Sequence, residues 1–187
     1  MSLNKYRIID LSLLIILGIV AEAILDFVFG NVENGCIQFV TIAILVIAVT
    51  RWRKIGFIVL PIMMFVPWVV DGFGLDNLIR VMCGTFGLIT AGLIVLSYRR
   101  DYENKYKGIN PLAIVFVAQM TMVVTRSISE IFLGGNFFTT LGGIIIPNML
   151  GMLFNFIFIK FALSGMLYDV KDELIKQSQN EDPGMNL

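Results

Sequence analysis

The chain has 187 residues, with 14 Lys and Arg balanced by 14 Asp and Glu, so its formal net charge is zero. It is 57% hydrophobic and 15% charged, with a mean hydropathy of +0.84, whereas soluble domains carry roughly 25% charged residues. This excludes an ordinary soluble domain. It also leaves no basic surplus of the kind that draws nucleic acid.

Histidine is absent. Its absence removes the commonest general base and metal ligand and with them any Ser-His-Asp or Cys-His arrangement. No catalytic residue, metal site or cofactor motif is therefore assigned. Cys36 and Cys83 show no ligand spacing and read as small apolar residues.

Several apolar runs approach or exceed the ~20 residues that cross a hydrocarbon core, and they predict an all-α membrane protein of six transmembrane helices. The first covers residues 8–30 after Lys5 and Arg7, with no small-residue cleavage site of a signal peptide. A polar turn over residues 31–35 leads to a second span over residues 36–50, which ends at the basic turn 51–54. The third span, residues 55–70, contains Pro61 and Pro67. Residues 71–77 form a Gly-rich loop in which Asp76 is placed to cap a fourth span over residues 78–98.

The longest hydrophilic connection covers residues 99–110, and Pro111 suits the first turn of a fifth span that runs to residue 133. Residues 134–136 make a tight turn, and a sixth span follows over residues 137–168, interrupted by Pro147. Residues 1–170 form the transmembrane domain and residues 171–187 a hydrophilic tail. Of the 14 basic residues, 11 lie in the N-terminus, the turn 51–54, the loop after the fourth span or the tail. The positive-inside rule then makes both termini cytoplasmic. The second and third spans are the weak point, because 15 or 16 residues give only ~24 Å of helix against a core of ~30 Å.

Polar residues within the spans carry the functional signal, since ionisable groups at membrane depth are costly and usually face a protein interior or a wet cavity. Gln119, Arg126 and Glu130 fall on one face of the fifth span, interrupted by Val123. Gly18, Glu22 and Asp26 share a face of the first span. Arg80 lies near the outer end of the fourth. Asn148, Gly151 and Asn155 repeat on the sixth at spacings of three and four.

Each has a structural reading beside a functional one. Arg126 and Glu130 can neutralise each other, and Gln119, Asn148 and Asn155 can join helices by hydrogen bonds. Trp68 and Phe73 suit an interfacial belt as well as a stacked ligand, and Lys160 suits snorkelling.

What favours a site is that these groups converge on the outer half. The candidate ligand-binding residues are Glu22, Asp26, Trp68, Asp71, Arg80, Gln119, Arg126, Glu130 and Asn148. The acids Glu22, Asp26, Asp71, Asp76 and Glu130 outnumber Arg80 and Arg126, which favours a zwitterionic, cationic or amine-bearing ligand over a simple anion. There is no phosphate-binding GxxxxGK[ST] segment, so the chain contains no motor of its own.

Four stretches carry a resemblance: KYRIIDLSLL at the first span, RWRKIG between the second and third, DGFGLDN before the fourth, and IIIPNMLGMLFNFIFIKFAL in the sixth. The whole chain resembles the substrate-binding S-component of an energy-coupling factor (ECF) transporter. The resemblance implies a small water-soluble vitamin or vitamin precursor as ligand, captured from outside. It also implies partners, a membrane scaffold (the T-component) and two ATPase subunits, met through small residues of the first helix. Here those residues are Ser12, Gly18, Ala21 and Ala23, and the usual alanine-x-x-x-alanine pattern is absent. The alternatives are a cell-envelope scaffold of the rod-shape type, which would bind no small molecule, and a small gradient-driven transporter, which needs a polar path to the cytoplasmic side.

Overall fold

The computed structural model describes residues 3–29, 38–70, 73–97 and 110–163. Among these residues the chain is helical, without strands. The elements are α1 (Leu3–Phe29), α2 (Thr41–Trp52), a 3-10 turn (Arg53–Ile58), α3 (Val59–Val70), α4 (Leu75–Ser97), α5 (Pro111–Phe132) and α6 (Phe137–Leu163). Among the described residues four stretches are long and apolar enough to cross a membrane: Asn4–Phe29, Leu75–Ser97, Leu112–Phe132 and Phe137–Phe161. Their outward faces carry large apolar side chains suited to lipid, as at Leu13, Leu17, Val20 and Ile24 of α1, all about half exposed.

The short helix α2 sits at the centre, and all twelve of its residues are buried. A helix that is apolar all round has no solvent or lipid face and belongs inside a bundle. At 1.5 Å per residue α2 is only roughly 18 Å long. The expected second span, residues 36–50, is thus displaced toward the C-terminus. Residues 38–40 are not helical, and the helix continues through Arg51 and Trp52, where the sequence suggests a turn.

Asp10 of α1 explains that extension. Its carboxylate accepts from Arg51 Nη2 at 2.9 Å and from Trp52 Nε1 at 2.6 Å, and Tyr6 packs on the Trp52 ring at 6.2 Å. These contacts hold both residues in the last turn, where a basic side chain also suits the helix dipole. The chain breaks at Arg53, which has φ 55°, a region costly for any side chain. Gly56 then folds so tightly beneath α2 that a Cβ there would lie 2.3 Å from the Ala48 carbonyl oxygen. The expected third span is accordingly split into the 3-10 turn and the twelve-residue α3.

The other helix ends follow local signals. α4 begins at Leu75, as Leu78 N–H donates to the Gly74 carbonyl at 3.0 Å. Asp76 therefore lies in the first turn and is not the N-cap the sequence suggests. There its charge complements the helix dipole instead.

Asn110 caps α5 by accepting from Leu112 and Ala113 N–H, with Pro111 following it. The same helix ends in a Schellman motif, with Gly135 N–H bonded to Glu130 C=O, Gly134 N–H to Ile131 C=O, and Gly134 at φ 80°. Asn136 caps α6 through Phe138 and Thr139 N–H.

α4 and α5 pack closely because glycines let the backbones approach. A Cβ on Gly87 would stand 2.5 Å from the Ala118 carbonyl oxygen, and one on Gly84 would stand 2.7 Å from Arg126 Nε. Small residues at a helix crossing are how membrane helices gain van der Waals contact without a hydrophobic drive.

Candidate functional site

The first turn of α2 is buried, so its free N–H groups need partners supplied by other helices. Glu22 of α1 is the acceptor for Val40 at the helix cap and for Phe39 just before it. Its Oε1 accepts from Phe39 N–H at 2.7 Å, and its Oε2 accepts from Val40 N–H at 2.9 Å and from the Thr41 hydroxyl at 3.2 Å. Glu22 is 3% exposed, and it shares a buried stripe of α1 with Leu11, Leu14 and Gly18. A carboxylate at this point complements the positive end of the helix dipole.

α6 contributes Asn155, whose amide works in both directions. Its Oδ1 accepts from Ala43 N–H at 2.8 Å, and its Nδ2 donates to the carbonyls of Gln38 and Gly151, both at 2.9 Å. α5 contributes Gln119, whose Nε2 donates to the same Gln38 carbonyl at 3.3 Å. Three helices thus meet on the irregular backbone of residues 38–40 and the turn that follows it. Such backbone is tolerated at membrane depth only where protein surrounds it or a cavity adjoins it.

The junction is not fully satisfied. Gln38 and Gln119 are both 0% exposed. Among the described residues neither amide atom of Gln38 has a partner, nor does Gln119 Oε1. A buried polar group left unmade costs about 1–3 kcal/mol, so three such atoms are an unusual concentration. Asn148, in the turn after Pro147 of α6, adds another: its Nδ2 donates to the Ile144 carbonyl at 2.7 Å, while its Oδ1 has no partner among the described residues.

The remaining candidate residues gather elsewhere. Arg80 of α4 pairs with Glu130 of α5 and donates to Asn77 Oδ1 at 3.1 Å. Arg126 is 5% exposed and lies over Gly84. Trp68 donates from Nε1 to the Gly74 carbonyl at 3.2 Å and meets Phe73 edge-on at 5.0 Å, where it fastens the link between α3 and α4. Asp71 and the side chain of Asp26 lie outside the described residues.

The structure therefore brings Glu22 and Gln119 together at the start of α2, and Arg80 with Glu130 between α4 and α5. The excess of acids over arginines loses its force as a guide to ligand charge, because Glu22 and Glu130 are engaged within the protein. Gln38, absent from the residues selected by sequence, is central. Its signal is a long amide inside an apolar run, which is visible but ambiguous without knowledge of where the helix begins.

The fold and this junction define a helical membrane protein whose interior holds a polar, partly unsatisfied centre. No protein-family model, curated protein or solved structure matches the chain.

Proposed function

We propose that this chain is a membrane binding subunit of the S-component type, which takes up a small water-soluble vitamin or vitamin precursor and works with a membrane scaffold protein and two ATPase subunits. The observation that carries the reading is the spare hydrogen-bonding capacity of Gln38, Gln119 and Asn148 inside a largely apolar bundle. A scaffold gains nothing from buried, unsatisfied amides, whereas a binding protein uses them when its ligand arrives.

In this reading the chain crosses the cell membrane six times, with both ends in the cytoplasm. The 3-10 turn and α3 together extend roughly 30 Å at about 2.0 and 1.5 Å per residue, which supports a crossing. The contact of Tyr6 and Asp10 with Trp52 and Arg51 supports a common side for the N-terminus and the basic turn. With Trp52 at the inner interface, the start of α2 lies roughly 18 Å into a core of ~30 Å. It is then nearer the outside, as capture from outside requires.

The test is purification of the full chain in a mild detergent, followed by mass spectrometry of small molecules released on denaturation. A vitamin-like compound in stoichiometric amount is the expected result. Absence of any such compound, together with an unchanged fluorescence of Trp52 and Trp68 across a vitamin panel, overturns the proposal.

A further inference from the structure

We infer that the start of α2 is the deep wall of a binding site for a neutral amide-type group, such as a lactam or cyclic urea, and that it selects against carboxylates and amines. The inference rests on the binding-subunit reading only for what is bound; the site itself stands on the hydrogen-bond inventory of the junction.

Among the described residues Glu22 is the formal charge at this point, and both of its oxygens are committed to Phe39, Val40 and Thr41 at the start of α2. An anion brought here meets that carboxylate. A cation must compete with Phe39 and Val40 N–H for it. The next charged group along α5 is Arg126, roughly 10 Å further on at about 1.5 Å per residue, packed over Gly84. Burying either kind of ion without a dedicated counter-charge is far costlier than burying an amide.

The open capacity is neutral and of both kinds. Gln119 is held with its NH2 toward the Gln38 carbonyl, which accepts and cannot donate, so the amide orientation is determined and Oε1 is left as an open acceptor at the junction. Gln38 offers an unused donor, Nε2, and an unused acceptor, Oε1. A group with one N–H and one C=O matches that set in kind. It would donate to an amide oxygen and accept from an amide NH2, and no proton or charge would need to move.

The experiment uses the full chain in lipid nanodiscs with four small probes: 2-pyrrolidinone and 2-imidazolidinone as neutral amides, acetate and methylammonium as charged counterparts. Saturation-transfer NMR measures binding to the native protein and to the Gln38→Leu and Gln119→Leu variants. Gln38→Leu is the cleaner variant, because the Gln38 side chain makes no hydrogen bond among the described residues and its carbonyl still serves Asn155 and Gln119.

Saturable binding of the neutral probes alone is expected, weakened about tenfold or more in either variant, as loss of one buried hydrogen bond predicts. Equal binding of acetate or methylammonium overturns the inference. So does failure of both neutral probes to saturate, which is the result if the junction holds only water. Unchanged affinity in Gln38→Leu overturns it as well.

The two proposals fail separately. A co-purified ligand that lacks an amide and ignores Gln38→Leu removes this site but keeps the binding subunit. Neutral-probe binding without any co-purified or panel vitamin does the reverse.

Discussion

Replacing Glu22 tests the central feature of the fold, a helix that begins inside the bundle with the backbone leading into it held by one carboxylate. Glu22→Ala leaves Phe39 and Val40 N–H without an acceptor and also removes the partner of the Thr41 hydroxyl. At about 1–3 kcal/mol for each buried N–H left unmade, the two backbone groups alone cost about 2–6 kcal/mol. Loss of the charge at the helix start adds up to ~2 kcal/mol. Such a loss is comparable to much of the stability of a typical domain.

Glu22→Gln keeps one acceptor oxygen but turns an NH2 toward the other N–H, so its cost falls near the lower half of that range. Thermal unfolding in nanodiscs should rank the proteins as native, then Gln, then Ala. Hydrogen exchange should quicken at residues 39–44 and leave α4 and α5 unchanged. If Glu22→Ala unfolds at the native temperature with native exchange at Phe39 and Val40, Glu22 does not hold α2 and the account of the junction is wrong.

Gly87→Ala places a methyl against the Ala118 carbonyl, backbone that cannot swing aside, and should destabilise the protein by about 1–3 kcal/mol. Gly142→Ala, where an added Cβ meets nothing within 4 Å in mid-helix, should be neutral or stabilising by up to about 1 kcal/mol; the two unfolding curves provide the comparison. Arg80 and Glu130 have side chains 36% and 15% exposed, so a double-mutant cycle should give a coupling of about 1 kcal/mol or less after screening. Asp10→Asn removes the charge shared by Arg51 and Trp52 and should change Trp52 fluorescence while quickening exchange in the last turn of α2; an unchanged spectrum and exchange would refute that contact.

Much of the architecture is legible in the sequence because its causes are local. Hydrophobic run length marks the four long helices, since a stretch of about 20 apolar residues has few other fates. Asn110 with Pro111, and Gly134 with Gly135 and Asn136, mark the end and start of helices through capping chemistry that needs no distant partner. Gly18 and Glu22 fall on one face of the first helix by spacing alone, and both are buried.

The placement of α2 is not legible in the same way. Residues 36–50 carry the same apolar signal whether they begin a span at Cys36 or start a buried helix at Thr41. Nothing within that run distinguishes the two. The decision belongs to Glu22 and Asn155, which lie 17 and 117 positions from the backbone groups they hold. Likewise the partner of Glu130 is a matter of packing: Arg126 is near in sequence, while Arg80 comes from another helix.

Residue identity alone is enough to establish a helical, membrane-compatible chain with costly polar groups among its apolar runs, because composition and period follow from it directly. Which of those groups are spent on the protein's own backbone, and which stay open, is settled by how the helices pack. Hydrogen bonds saturate, and whether Gln38, Gln119 and Glu22 have capacity left depends on what three other helices bring to the start of α2.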